Sequence, residues 1–362
     1  MKSPTSASGF ALLLSVLCAP ASSATPGAHW SAVSEPSAAC RAGLAEAHDY
    51  LKTLPSTSML AVRDGQVLTS YGPVDQANQV YSIRKSVLAM MYGPFIADGT
   101  ISLSRSLASL DIDDVGGLLP LERTATVGDL LAARSGVYHA PSNPGDDADA
   151  APPRGSQTPG AYFLYNNWDF NVAGTVYEQL TRRDIYQSFE DELAKPLQME
   201  DFRLSQQHRN GDPTRSHHLA YHFHLSTRDM ARLGQLMLQQ GSWNGRQLLP
   251  ADWITRITTP VTRATDMHPP STARRGLDYG LLWWIPAMPA GSPLEGAYMA
   301  WGYYGQYILV IPRQHMVISH QRVVVAAQAN TARKVSPAEF LRFAEQLARA
   351  PCSPARVEPA EK

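Results

Sequence analysis

Val80-Tyr81-Ser82-Ile83-Arg84-Lys85-Ser86-Val87-Leu88 decides how this chain is read. Ser82 and Lys85 are three residues apart, so on a helix they share one face. Ile83, Val87 and Leu88 make that helix apolar. A lysine at its start is partly desolvated, which lowers its pKa and makes the neutral amine available as a base. A serine beside a base is the minimal nucleophile for acyl transfer. The tetrapeptide also has a plainer reading, an N-cap serine with a surface lysine one turn on. Against it, lysine is scarce here, and this is the only serine followed by a lysine at that spacing.

Two later stretches add to the constellation. Phe163-Leu164-Tyr165-Asn166-Asn167-Trp168-Asp169-Phe170 contains Tyr165-x-Asn167. A phenol can move a proton between nucleophile, lysine and leaving group, and a carboxamide can hold the lysine or a substrate carbonyl. The alternative is an aromatic core segment with polar turn residues. Ala300-Trp301-Gly302-Tyr303-Tyr304-Gly305-Gln306-Tyr307 runs into Ile308 to Pro312. Glycines at the start of a strand let backbone approach a ligand, and a strand edge offers the N–H an oxyanion hole needs. A bulge or tight turn is the alternative.

Together, Ser82-x-x-Lys85, Tyr165-x-Asn167 and the late glycine-rich strand resemble the serine β-lactamase and penicillin-binding-protein superfamily. The resemblance is to its class C-related branch of β-lactamase-like serine hydrolases, esterases and amide hydrolases. Ala125 to Gly136, Tyr165 to Glu178, Ser226 to Gly234 and Tyr279 to Trp284 support it, so it covers nearly the whole mature chain. It implies an acyl-enzyme mechanism with Ser82 as nucleophile, and Lys85 and Tyr165 sharing the proton work. It places the N–H groups of Ser82 and Tyr303 on the oxyanion, Asn167 on Lys85 or the substrate amide, and Trp301 at the acyl pocket. It implies no cofactor and no metal. One departure matters. The superfamily's β-lactamases and penicillin-binding proteins carry Lys-Thr-Gly or a close variant on the third motif. This chain has Ala300-Trp301-Gly302, or Trp301-Gly302-Tyr303 in another register. The cation that helps bind a β-lactam or peptide carboxylate is missing, which favours an ester or amide lacking that carboxylate.

The chain has 362 residues with 31 basic and 32 acidic side chains, so charge balance gives no sign of a nucleic-acid partner. The N-terminus reads as an export signal, residues 1–24. Lys2 supplies the positive end, Phe10 to Ala19 a short apolar run, and Ala21-Ser22-Ser23-Ala24 the cleavage site. That run is too short to span a bilayer, and no later segment is a transmembrane candidate. The expected location is therefore periplasmic or secreted. Cys40 and Cys352 remain after cleavage, and an oxidising compartment suggests a bridge between the terminal segments, with two free thiols as the alternative.

Ser37 to Lys52 reads as a helix with Cys40, Leu44, Ala47 and Leu51 on one face. Met59 to Arg63 and Gln66 to Tyr71 read as strands around an Asp64-Gly65 hairpin turn. Pro94 should kink or end the Ser82 helix. Thr126-x-x-Asp129, Ser226-x-x-Asp229 and Ser336-Pro337-x-Glu339 read as helix starts. Tyr279 to Ile285, Tyr307 to Ile311 and Met316 to Gln321 read as strands. The order predicts an α/β fold, an antiparallel sheet flanked by terminal helices. Residues 25–99 and 222–362 form the sandwich, with 100–221 as a mainly helical insertion. In such a sandwich the first and last helices share one face, which brings Cys40 and Cys352 together.

His139 to Gly160 reads as a flap beside the site or a plain surface loop. His217, His218, His222 and His224 cluster, but spacing alone shows no convergence of ligands. They read as a loop bordering the cleft or lying on the surface. The preferred function is an exported serine hydrolase for a small-molecule or peptide-like ester or amide. The alternatives are a class C-like β-lactamase or D-Ala-peptide hydrolase that finds its carboxylate partner at Arg274 or Arg275, and a non-catalytic wall-binding or regulatory module.

Overall fold

The structure is a computed structural model and describes residues 25–143, 145 and 147–352. The expected leader, residues 1–24, lies outside the described residues. Helix α1 (Ala38–Thr53) starts where Ser37 accepts the Cys40 N–H at 3.1 Å. Strands β1 (Ser58–Arg63) and β2 (Gln66–Tyr71) form a hairpin whose turn, Asp64-Gly65, has φ of 50° and 80°. Positive φ at both turn residues matches the right-handed twist of the flanking strands, which explains the Asp-Gly pair.

Later strands complete the sheet: β3 (Leu277–Tyr279), β4 (Trp284–Pro286), β5 (Tyr298–Gly302), β6 (Gln306–Ile311) and β7 (Met316–Gln321). Their order is β3-β4-β5-β6-β7-β1-β2, and every neighbouring pair is antiparallel. The C-terminal strands thus close onto the N-terminal hairpin, Ser58 opposite Gln321. Both faces of the sheet are buried, so β1, β6 and β7 are buried along their whole length rather than alternating.

Helices cover the two faces. Ile308 and Val317 lie against Gly234 of the helix Thr227–Leu238, where any side chain larger than hydrogen would strike the Val317 methyl. The neighbouring residue, Tyr307, stacks on Phe340 of the C-terminal helix (Pro337–Arg349) with ring centroids 4.1 Å apart. Successive strand residues point to opposite faces, so these helices form the outer layers of an α/β sandwich. The C-terminal helix opens with the expected capping box, Ser336 with Glu339, and buries Phe340, Phe343, Ala344 and Leu347. It packs against α1, and the disulfide Cys40–Cys352 joins them with Cα atoms 4.6 Å apart.

Three expectations need correction. The single strand read over Tyr279 to Ile285 is two strands. Leu282 has φ of 61° and the Gly280 N–H bonds the Trp283 carbonyl, so the chain reverses between them. A continuous apolar run hid a turn built without Pro, Asn or Asp. Pro94 lies inside the helix Ile83–Ala97 without ending it, because the Asp98 N–H still bonds the Pro94 carbonyl at 3.1 Å. The third motif ends a strand rather than starting one: Trp301 and Gly302 close β5, and Tyr303 and Tyr304 form the turn to β6.

Candidate active site

The helix α2 (Ile83–Ala97) begins at Ser82, its N-cap. The residue before it, Tyr81, has φ of 49°, a left-handed conformation that costs a non-glycine residue of order 1 kcal/mol. That turn sets Ser82 on the rim of a cleft of about 350 Å³. As the N-cap, Ser82 has an N–H with no partner inside the helix. One turn on, the Lys85 N–H closes the first turn on the Ser82 carbonyl at 3.1 Å.

Lys85 is 1% exposed. Its Nζ donates to the Tyr165 phenol oxygen at 2.8 Å and to Asn167 Oδ1 at 2.8 Å. It also lies 4.0 Å from the Tyr165 ring centroid and 4.2 Å from that of Phe170. Tyr165 is held by Phe170 and Trp284, at centroid distances of 4.8 and 5.3 Å. Asn167 is the first residue of the helix Asn167–Thr181, whose N-cap Asn166 accepts the Trp168 N–H at 3.0 Å. The start of one helix is therefore aimed at a lysine in the first turn of another, and Ser82, Tyr165 and Asn167 all line the cleft.

The third motif reaches the same place. Tyr303 lines the cleft beside Tyr81, their ring centroids 6.1 Å apart. Gly302 carries the approach, since a Cβ there would meet the Val80 carbonyl oxygen at 2.3 Å. The end of β5 thus presses against the segment that presents Ser82. Trp301 stands one ring back and is not among the cleft residues. It packs on Trp284 at 5.5 Å and carries the Arg275 guanidinium 5.1 Å from its centroid.

The loop read as a flap contributes Asn143 and Gly145 to the cleft wall. Of the clustered histidines, only His222 lines it, hydrogen-bonded to Gln79 Nε2 at 2.9 Å. Burial, reinforced by the nearby Arg84 guanidinium, pushes this imidazole down to about 3, so it is neutral. His218 instead bonds Thr175 and the Asp113 carbonyl, and His208 stacks near His222 and His224. Among the described residues no group of three or more His, Cys, Asp or Glu side chains is arranged to hold a metal ion. Neighbouring serines have structural tasks: Ser86 donates to the Leu282 carbonyl and Ser135 to the buried Asp169. The residue that sequence reasoning missed is Arg84, which lines the cleft although it lies two positions from Ser82. Helix side chains lean towards the N-terminus, and a long stem brings the guanidinium back to the rim. A charge inside an otherwise apolar helix start was the available signal.

The sequence model of the beta-lactamase family matches residues 44–350. The chain belongs to the beta-lactamase family. The fold agrees with solved members and their kin. A 6-aminohexanoate-dimer hydrolase candidate from Bacillus anthracis is 19% identical with a TM-score of 0.61, over 84% of this chain and 82% of that one. A penicillin-binding-protein homologue from Caulobacter crescentus is 12% identical with a TM-score of 0.59, over 87% and 98%. EstCE1, a hydrolase with promiscuous acyltransferase activity, is 14% identical with a TM-score of 0.56, over 86% and 98%. An uncharacterized protein of Alkalihalophilus pseudofirmus is 29% identical over 103 residues, and the match spans 28% of that relative's length. Family membership places the chain among beta-lactamase-like serine hydrolases of amides and esters. No helix among the described residues is long and apolar enough to cross a membrane.

Proposed function

We propose that this family member is an exported Ser-x-x-Lys hydrolase that cleaves an ester or amide through an acyl-enzyme. The observation that carries the reading is Lys85 Nζ held at 2.8 Å by both Tyr165 and Asn167 at the cleft onto which Ser82 opens. Ser82 Oγ attacks the carbonyl carbon as its proton passes to neutral Lys85, with Tyr165 as relay. The N–H groups of Ser82 and Tyr303 take the developing oxyanion. Collapse breaks the bond to the alcohol or amine, which leaves with the proton returned through Tyr165. Water then attacks the acyl-enzyme, gives its proton to the Lys85–Tyr165 pair, and releases the acid. The Ser82 proton is restored in the same step. Asn167 holds the Lys85 amine in place, and Trp301 backs Tyr165 through Trp284. The Cys40–Cys352 bridge and the leader-like residues 1–24 support export.

Turnover of a chromogenic cephalosporin beside a short-chain aryl ester tests the substrate class. The third motif offers no Lys or His at Ala300, Trp301 or Gly302. Arg275 is engaged with the Trp301 ring and lies 4.0 Å from Asp147. A β-lactam should therefore be the poorer substrate by about one to two decades, the worth of one charge-assisted hydrogen bond. Cephalosporin turnover equal to that of the best ester would defeat the argument from the missing cation and favour the class C-like β-lactamase alternative.

A further inference from the structure

We infer that His222 donates a hydrogen bond from its Nε2–H to a second, non-scissile carbonyl oxygen of the substrate, and so selects an ester or amide that carries one. The inference rests on the hydrolase reading and narrows its substrate. His222 ends the strand Ala220–His222 and lines the cleft with Ser82. Its Nδ1 faces the Gln79 side-chain Nε2 at 2.9 Å. An amide nitrogen only donates, so Nδ1 accepts, and the one proton of this neutral ring sits on Nε2. Nε2 meets no hydrogen-bond partner among the described residues, yet the protein does not close it off. The fully buried histidines differ. His139, His218 and His320 each bond protein groups through both ring nitrogens.

The donor is held in place. The His222 backbone N–H bonds the Tyr186 phenol oxygen at 3.1 Å, and the His208 ring centroid lies 5.5 Å from that of the imidazole. Gln79 stands three residues before Ser82, and its short strand Asn78–Gln79 pairs with His224–Leu225. The segment that presents the nucleophile thus also fixes which imidazole nitrogen carries the proton. A donor fixed on a cleft wall loses little freedom on binding, and a substrate without an acceptor leaves it unpaired. The matching group is an uncharged oxygen. A neutral N–H has no charge to pair with an anion, and it cannot accept from an ammonium, which the nearby Arg84 guanidinium also repels. Asn143 and Asn167 add amide groups to the same wall, which complement a carbonyl better than a hydrocarbon chain. One neutral hydrogen bond corresponds to roughly 3- to 10-fold in kcat/KM.

The test uses the mature, disulfide-intact protein and two isosteric pairs of aryl esters. One pair varies the acyl group: the nitrophenyl esters of N-acetyl-β-alanine and of its branched hydrocarbon isostere. The other varies the alcohol: acetamidophenyl and isobutylphenyl butyrate. The acceptor preference is kcat/KM for the amide-bearing ester over that for its isostere, and intrinsic reactivity cancels when variants are compared. In at least one pair the wild-type preference should exceed that of His222→Phe by roughly 3- to 10-fold. His222→Gln, which keeps an N–H in reach, should restore part of it. Long-range proton–nitrogen NMR at neutral pH should show His222 protonated on Nε2, and Gln79→Leu should admit the other tautomer and lower the preference with it. A wild-type ring protonated on Nδ1, or a preference in His222→Phe within twofold of wild type for both pairs, overturns the inference. If His222→Phe does not fold, Gln79→Leu decides: a preference that falls with the tautomer supports the donor and an unchanged one overturns it. If no ester is turned over and no serine is labelled, the hydrolase reading fails separately. Titration of Ser82→Ala with N-acetyl-β-alanine methylamide then decides the donor: a saturable shift of the His222 Nε2–H resonance supports it and no shift overturns it.

Discussion

Substituting Gly302 by alanine tests whether the third motif positions the nucleophile. The added methyl would sit 2.3 Å from the Val80 carbonyl oxygen and 3.0 Å from Gln306 Cβ. An ordinary carbon–oxygen contact is about 3.3 Å, so Val80 and the end of β5 must part by about 1 Å. Val80 cannot yield freely, because its N–H is bonded to the Phe223 carbonyl at 3.0 Å. The displacement passes to Tyr81, already left-handed, and so to Ser82. Overpacking of this kind costs roughly 1–3 kcal/mol of stability. A shift of about 1 Å at a reacting group costs about two decades in rate. The assay is kcat/KM on a short-chain aryl ester, normalised to folded protein by urea titration, with the labelling rate of a serine-directed phosphonate. Gly27→Ala is the control, since nothing lies within 4 Å of a Cβ there. If Gly302→Ala loses stability but keeps kcat/KM within threefold of wild type, the third motif does not position Ser82.

Lys85→Ala and Tyr165→Phe should each lower kcat by about two to four decades. The double variant should be little worse than the poorer single, because the two act as one unit; wild-type turnover in Tyr165→Phe would remove the relay. Thiol titration of denatured, non-reduced mature protein should find no free cysteine. Reduction should cost up to about 5–6 kcal/mol, because the bridge spans 312 residues of sequence; an unchanged urea midpoint on reduction would contradict that. Stability should also fall on acidification. Burial holds His320 down at about 4 in the folded state, so below its unfolded value of about 6.5 the unfolded chain binds the extra proton. That contribution is complete above pH 6.5 and is lost as pH falls towards 4, by up to about 3 kcal/mol. Urea midpoints at pH 7, 5 and 4 read it, and a His320→Gln slope equal to wild type would refute the assignment.

The sequence carried the fold where local rules and tertiary packing agreed. The Asp64-Gly65 turn, the capping boxes at Thr126 and Ser336, and the apolar faces of the terminal helices all fall where their residues place them. Patterning failed where a segment is apolar on all sides. Between Tyr279 and Trp284 the side chains pack into the core on both arms of a hairpin, so neither period nor composition marks the turn. The site divides in the same way. Tyr165 and Asn167 meet Lys85 because each lies at a helix start whose capping residues are visible in the chain. Arg84 was hidden because helical spacing turns it away from Ser82, and only the reach of its side chain returns it to the cleft. Trp301 was read as lining the pocket because β5 was not recognised as ending there.

The most direct measurement of the central claim is the site of covalent labelling by a serine-directed phosphonate on the mature protein, mapped by peptide mass spectrometry. The account predicts one adduct, on Ser82, with labelling and ester turnover both lost in a folded Ser82→Ala variant. An adduct on Ser86 or Ser135, or turnover that persists in Ser82→Ala, would contradict it.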